Sequence, residues 1–312
     1  MPFFEKNVSN LMSCKAYFCV HSETLTVEEL AKDINELVDY LTAFEKNYSR
    51  FIKGNYLDGF NNKVSEINVT EEFFEILELA QLYYNKTTGI FDVCILPYLL
   101  EEGYVKSKND GFIDKHYANK PNTFFTTKDL VLNKEKLTVN KPNGLQIDLG
   151  GIAKGFAVKK GKEMLENKYS DFCVDIGGDM YVGGIDRQKG YDYWAIEVEN
   201  PFDAQQQIAT LLLKDTAVAT SGINKRAWYR NGQKKNHLID ARTKQSVNEA
   251  LTCVTVVNND PVFADVYAKT LLISGLIAGL KLCEDENIAA IFVEKSGDVS
   301  KSSRMEKYVW KE

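Results

Sequence analysis

Apolar residues recur every three or four positions in two N-terminal stretches. Leu30, Ile34, Leu37, Leu41 and Phe44 share one face of a helix expected over Thr26–Lys46. Phe73, Phe74, Leu77, Ala80 and Leu82 do the same over Val69–Asn85, where Thr70 is a natural N-cap. Between them, Tyr48–Lys63 is polar, aromatic and glycine-bearing and reads as a loop, and Tyr104–Lys128 is irregular and polar. Ala16–Val20 reads as a strand. From Leu130 onward short apolar runs predict further strands at Leu130–Leu132, Leu137–Val139, Leu145–Leu149, Phe172–Ile176, Tyr193–Val198, Ile208–Leu213 and Ala217–Ala219. Helices are expected at Phe156–Lys168 and from Pro261 to Leu282, the latter with Asp260 as N-cap and Pro261 in its first turn. Many strands joined by few helices point to an α+β fold rather than a doubly wound sheet.

The 312 residues are 44% hydrophobic and 26% charged, ordinary for a globular protein and enough for one elaborate domain or two lobes. A net charge of −6 without a basic cluster argues against nucleic acid as a partner. No apolar run is long enough to span a membrane. Met1–Asn10 is polar and lacks the apolar core of a signal peptide, so a cytoplasmic chain is expected. Leu11-Met12-Ser13-Cys14 faintly resembles a lipoprotein cleavage site, which would fit only an exported chain with an apolar segment ahead of it. The six cysteines are scattered without a CxxC, as for buried free thiols, and His21, His116 and His237 show no zinc spacing.

Candidate chemistry begins with Asp148-Leu149-Gly150-Gly151-Ile152-Ala153-Lys154-Gly155. A glycine turn leading into a helix N-terminus, with a lysine, suits an anion such as a diphosphate; a tight turn with a solvated lysine is the alternative. The spacing is neither a Walker P-loop nor a dinucleotide GxGxxG. Asp175 and Asp179 flank Gly177-Gly178, where they either stabilise a turn or serve a site. Thr220-Ser221-Gly222 ends a strand as a loop with two hydroxyls. His237, ahead of Ile239 and Asp240, is either a base or structural. Asp265 and Lys269 are four apart on the last helix, among small and apolar neighbours, which favours the border of a cleft over open solvent.

In this order the segments resemble the FAD:protein FMN transferase (ApbE) family. Leu11–Cys14 is similar to its Met-Gly-Thr segment, with Gly and Thr replaced; Ser49-Arg50-Phe51 to its Ser-Arg-Phe; and Thr88–Val93 to its Asp-Gly-Ala-Phe-Asp element. Asp148–Gly155, Asp175–Asp179, Thr220–Gly222, His237–Asp240 and Ala264-Asp265 complete the set. The resemblance implies one domain over residues 1–312, with two intertwined lobes, mainly antiparallel sheets with flanking helices, and FAD in a cleft between the lobes. It implies transfer of FMN from FAD to a Thr or Ser hydroxyl of an acceptor flavoprotein, with release of AMP; some members hydrolyse FAD to FMN and AMP instead. It places FAD contacts at Met12, Phe51, Ile90, Phe91, Asp92, Asp148, Lys154 and Ile239, with Thr220, Ser221 and Gly222 against the flavin. Mg2+ would be held by the Gly151 carbonyl, the Asp265 carboxylate and a threonine hydroxyl four residues on. Here that last position is Lys269, a cation that either substitutes for the metal or leaves a flavin-binding protein without transfer. His237, Asp265 and Lys269 are therefore the catalytic candidates. Asp240-Ala241 replaces the family's Asp-Pro.

Overall fold

The structure, a computed structural model, describes residues 2–105, 123–224, 226–230, 232–247 and 250–311. His116 and most of the irregular Tyr104–Lys128 stretch lie outside these residues. In chain order the strands are β1 Phe3–Leu11, β2 Cys14–His21, β3 Ser65–Asn68, β4 Val131–Asn133, β5 Thr138–Lys141, β6 Asp171–Ile176, β7 Asp179–Gly183, β8 Trp194–Glu199, β9 Gln207–Leu213, β10 Thr216–Gly222, β11 Ala227–Arg230, β12 Gln233–Asn236, β13 Ile239–Asp240, β14 Gln245–Ser246, β15 Leu251–Asn258, β16 Ala289–Glu294 and β17 Val299–Lys301. The helices are α1 Val27–Tyr48, α2 Tyr56–Asn62, α3 Glu71–Lys86, α4 Leu96–Glu101, α5 Ala153–Leu165, α6 Pro261–Ser274 and α7 Leu276–Glu286. The chain divides into two compact units, each assembled from separate stretches. The first is 1–45, 154–222 and 249–312; the second is 46–153 and 223–248.

An eight-stranded sheet of order β1-β2-β6-β7-β10-β15-β16-β17 dominates the first unit, and every neighbouring pair is antiparallel. Strand alternation sends Cys19, Cys173, Val182, Val218, Val257, Ile291 and Val293 to one face, where the β8–β9 hairpin covers them with Trp194, Val198, Leu211 and Leu213. Helices cover the other face: α6 packs on β10 and β15, Phe44 of α1 stacks on Phe156 of α5 at 5.7 Å, and Gly161 of α5 lets that helix approach Val174. The mixed helix and antiparallel-sheet architecture agrees with the α+β expectation.

A three-stranded sheet, β3-β5-β4, and two short hairpins, β11–β12 and β13–β14, form the second unit together with α2, α3 and α4. Its aromatic core centres on Phe73, whose ring meets Phe60 at 4.9 Å, Tyr56 at 5.1 Å and Tyr48 at 5.6 Å.

Several expectations need correction. The polar start of the chain, where no element is expected, forms β1, an edge strand that pairs with β2. The supposed loop Tyr48–Lys63 contains α2, capped by the Asn55 side chain on Asp58 N–H. Leu82 is exposed, because it lies two residues beyond Ala80 and thus about 200° around the helix. Leu145–Leu149 is not a strand. Its polar backbone is satisfied by side chains instead: the Asn61 amide donates to Ile147 O (3.0 Å) and accepts from Ile147 N (2.9 Å), and Lys141 Nζ donates to Leu145 O. The last long helix is two helices. Gly275, with φ 78° and ψ 171°, ends α6 and opens α7, a backbone that only glycine adopts readily. Thr220, Ser221 and Gly222 lie inside β10 rather than in a loop, opposite Thr255, Val254 and Cys253. The expectation of free thiols holds: all six cysteines are free, and five of them are buried.

Candidate functional site

In the first unit the residues singled out from sequence come together. The N-cap aspartate and proline start α6 at Pro261, which sets Asp265 and Lys269 on successive turns of one face. Lys269 Nζ pairs with Asp265 Oδ1 and also donates to the Asp265 carbonyl (3.0 Å). Asp265 Oδ2 accepts from Gly155 N–H at 2.9 Å, so this carboxylate caps the first turn of α5, where main-chain donors would otherwise lack partners. Gly155 is required there, since a Cβ would lie 2.8 Å from Asp265 Cβ and from Pro261 O. One residue earlier, Lys154 pairs with Asp179, the first residue of β7. The other oxygen of Asp179 accepts from Thr220 N–H (3.1 Å), and the Thr220 hydroxyl meets that of Thr255 at 2.9 Å.

Asp179 and Asp265 are buried, and Lys269 nearly so. Burial would push the Lys154 ammonium down; Asp179 and Asp265 outweigh it and hold its pKa above the ordinary lysine value. Lys154 is therefore not the solvated lysine of the alternative reading. Asp175 differs from Asp179 although they flank the same turn. Its carboxylate accepts from Gly178 N–H, as a turn residue does, and burial pushes its pKa up to about 6. Met12 and Ser13, with φ 52° and 61°, make the two-residue turn between β1 and β2, a conformation glycine adopts more readily. Met12 N–H donates to Glu45 Oε2 at 2.8 Å.

The second unit holds the other candidates. Asp148 is buried; its Oδ2 lies 2.7 Å from Arg50 Nε and its Oδ1 accepts from Gly150 N–H. Arg50 lies over the rings of Phe51 (4.1 Å) and Tyr104 (4.4 Å), and Tyr104 in turn stacks on Trp228 at 5.2 Å. His237 meets Tyr104 edge-on at 6.2 Å, and Ile239 belongs to the same apolar cluster, against which Phe51 packs. Phe51, His237 and Ile239 thus gather around one aromatic stack. Ile90, Phe91 and Asp92 follow α3. Asp92 is buried and binds Cys94 N–H, Thr127 N–H and the Thr127 hydroxyl, and burial raises its pKa. Val93 O accepts from Asp148 N–H, which ties this segment to the glycine turn. Gly151 lies in that turn, just ahead of α5. Asp240 binds the Arg242 guanidinium and turns the chain beyond β13.

Reading by sequence missed the part played by Arg50, Tyr104 and Trp228, whose partners are distant in the chain. It gave Asp175 and Asp179 one role where they have two. The signal for Asp179 was slight, a carboxylate at the first position of a strand rather than inside the turn.

The side chains present differ from the Mg2+ ligands implied by the resemblance. Both oxygens of Asp265 have donors, and a protonated lysine offers no lone pair to a metal. Among the described residues no group of three or more His, Cys, Asp or Glu is placed to hold a metal ion. The residues do not fit that metal site.

Residues 15–292 match the ApbE family. The chain belongs to the ApbE family. Two similar curated proteins are both named FAD:protein FMN transferase. That of Haemophilus influenzae is 27% identical over 298 residues, covering 90% of this chain and 84% of the relative. That of Klebsiella pneumoniae is 31% identical over 163 residues, a match spanning about half of each, 51% and 49%. Among solved structures, the ApbE protein of Thermotoga maritima superposes with a TM-score of 0.86 at 19% identity, over 99% of this chain and 100% of that one. This ApbE-family member therefore has the fold of that protein. No helix among its described residues is long and apolar enough to cross a membrane.

Proposed function

We propose that this ApbE-family protein is a FAD:protein FMN transferase. A Thr or Ser hydroxyl of an acceptor flavoprotein attacks the FMN-side phosphorus of FAD. The bond from that phosphorus to the bridging oxygen breaks, AMP leaves with the oxygen, and the hydroxyl proton passes to a base. The observation that carries this reading is the similarity to relatives of that name along nearly the whole chain.

In this reading the candidate FAD contacts are Met12, Phe51, Ile90, Phe91, Asp92, Lys154, Thr220, Ser221, Gly222 and Ile239. Asp148, already bound to Arg50, fixes the glycine turn rather than meeting phosphate directly, since two anions repel. Lys154 and Lys269 supply positive charge for the non-bridging oxygens, the main requirement of phosphoryl transfer. His237 is the base; a hydroxyl needs one within hydrogen-bond reach, and an imidazole nitrogen with a lone pair accepts a proton. No step is routed through Mg2+, because Asp265 is committed to Lys269.

A second reading, favoured by that same ion pair, is a protein that binds FAD without transferring FMN; hydrolysis to FMN and AMP is a third. Incubation with FAD and a candidate acceptor, followed by mass spectrometry, separates them. Transfer adds FMN to the acceptor and releases AMP only when the acceptor is present. Hydrolysis releases AMP without acceptor, and binding alone releases none. His237→Asn is expected to lower transfer by about 10²–10⁴-fold with FAD binding retained; undiminished transfer would remove His237 from the base role.

A further inference from the structure

Asp179 and Asp265 have four carboxylate oxygens, and each has a donor. Asp265 Oδ1 has Lys269 Nζ, Asp265 Oδ2 has Gly155 N–H, Asp179 Oδ2 has Lys154 Nζ and Asp179 Oδ1 has Thr220 N–H. The four side chains come from α5, β7 and α6 of one unit and carry two positive and two negative charges. The carboxylates are 2% and 1% exposed. Buried charges persist only when paired and hydrogen-bonded, and here both conditions hold without any added ion.

We infer that this cluster carries its own cation: the Lys269 ammonium takes the place of a divalent metal beside Asp265, and the site accepts the diphosphate of a dinucleotide without one. The inference deepens the transferase reading and rests on it for the identity of the dinucleotide. A divalent ion on Asp265 would share a carboxylate already bonded to the Lys269 ammonium and the Gly155 N–H, and would sit beside an ammonium of like charge. An anion meets the opposite situation. An ammonium has three N–H donors. Lys154 gives one to Asp179, and Lys269 gives two to Asp265, to its carboxylate and its carbonyl. Donors remain on both lysines for phosphate oxygens, and both side chains keep a small exposed fraction, 17% and 11%. Charge-assisted hydrogen bonds of this kind are the strong ones.

The test reads metal and FAD binding separately from activity. Mn2+ is titrated into the full chain and followed by loss of the free-ion paramagnetic resonance signal. The wild-type protein is expected to bind none saturably, whereas Lys269→Thr, which restores a hydroxyl and removes the ammonium, binds one ion per chain. FAD binding, followed by flavin fluorescence, is expected to be unchanged by EDTA in the wild type and weakened at least about tenfold in Lys269→Met. Circular dichroism establishes that each variant is folded. Saturable Mn2+ binding by the wild type that is lost in Asp265→Asn, release of FAD by EDTA, or no Mn2+ binding by folded Lys269→Thr overturns the inference. Absence of FMN transfer alongside the expected binding pattern instead overturns the transferase reading and leaves the internal cation standing.

Discussion

Arg50 Nε lies 2.7 Å from Asp148 Oδ2, and the side chains of this pair are only 7% and 8% exposed. Burial lowers the Arg50 pKa, with the charge of Asp148 acting against it. Two residues nearly a hundred positions apart thus fix the aromatic stack and the glycine turn to each other. Removing one partner strands a buried charge. Arg50→Met is expected to destabilise the protein by about 3–5 kcal/mol in urea denaturation, and Arg50→Met with Asp148→Asn to recover part of that loss. Strict additivity of the two substitutions would show the pair to be uncoupled.

Asn61 holds Ile147 by both main-chain groups. Asn61→Leu keeps the volume near its original value but leaves a buried N–H and a buried C=O without partners. The expected cost is about 2–6 kcal/mol, since each such group costs about 1–3 kcal/mol. Equilibrium unfolding of the variant measures it; a change within about 0.5 kcal/mol would mean that the segment around Ile147 finds other partners.

Two glycines make opposite predictions. Gly155→Ala forces a methyl group against Asp265 Cβ and Pro261 O and should destabilise by about 1–3 kcal/mol. Gly59, inside α2, has open space where a methyl group would stand and no positive φ, so Gly59→Ala should stabilise by about 0.4–1 kcal/mol through a less disordered unfolded chain. Thermal melts of the two variants should move in opposite directions.

Asp175 sets a pH dependence. Its folded pKa of about 6 lies above the unfolded value of 3.8, so the folded state holds the proton more tightly. Stability from this group is present at low pH and is lost as pH rises from about 4 through about 6. Asp175→Asn, whose amide oxygen can still accept from Gly178 N–H, should match the wild type near pH 4 and exceed it at pH 7. A constant difference between the two across that range would assign the proton elsewhere.

The local elements were legible where a repeating pattern or a cap sufficed. The faces of α1 and α3, the Thr70 and Asp260 caps, and strands β2, β6 and β10 of the main sheet follow from periodicity and short-range hydrogen bonding. The failures share a cause. Leu145–Leu149 has the apolar run of a strand, yet Asn61, far away in sequence, satisfies its backbone. At Gly275 the break between α6 and α7 depends on a backbone conformation that apolar spacing does not report.

The sequence by itself determined the family and which residue types stand at which spacing, including a lysine four residues after Asp265 where the resemblance leads one to expect a hydroxyl. Only the tertiary structure decided what those residues do to one another. Lys154 reaches Asp179, Gly155 N–H reaches Asp265, and Arg50 reaches Asp148 across 25, 110 and 98 residues of chain. Charge pairing and the capping of an open helix end act over a few ångströms of space and are indifferent to distance along the chain, so no local pattern could have displayed them.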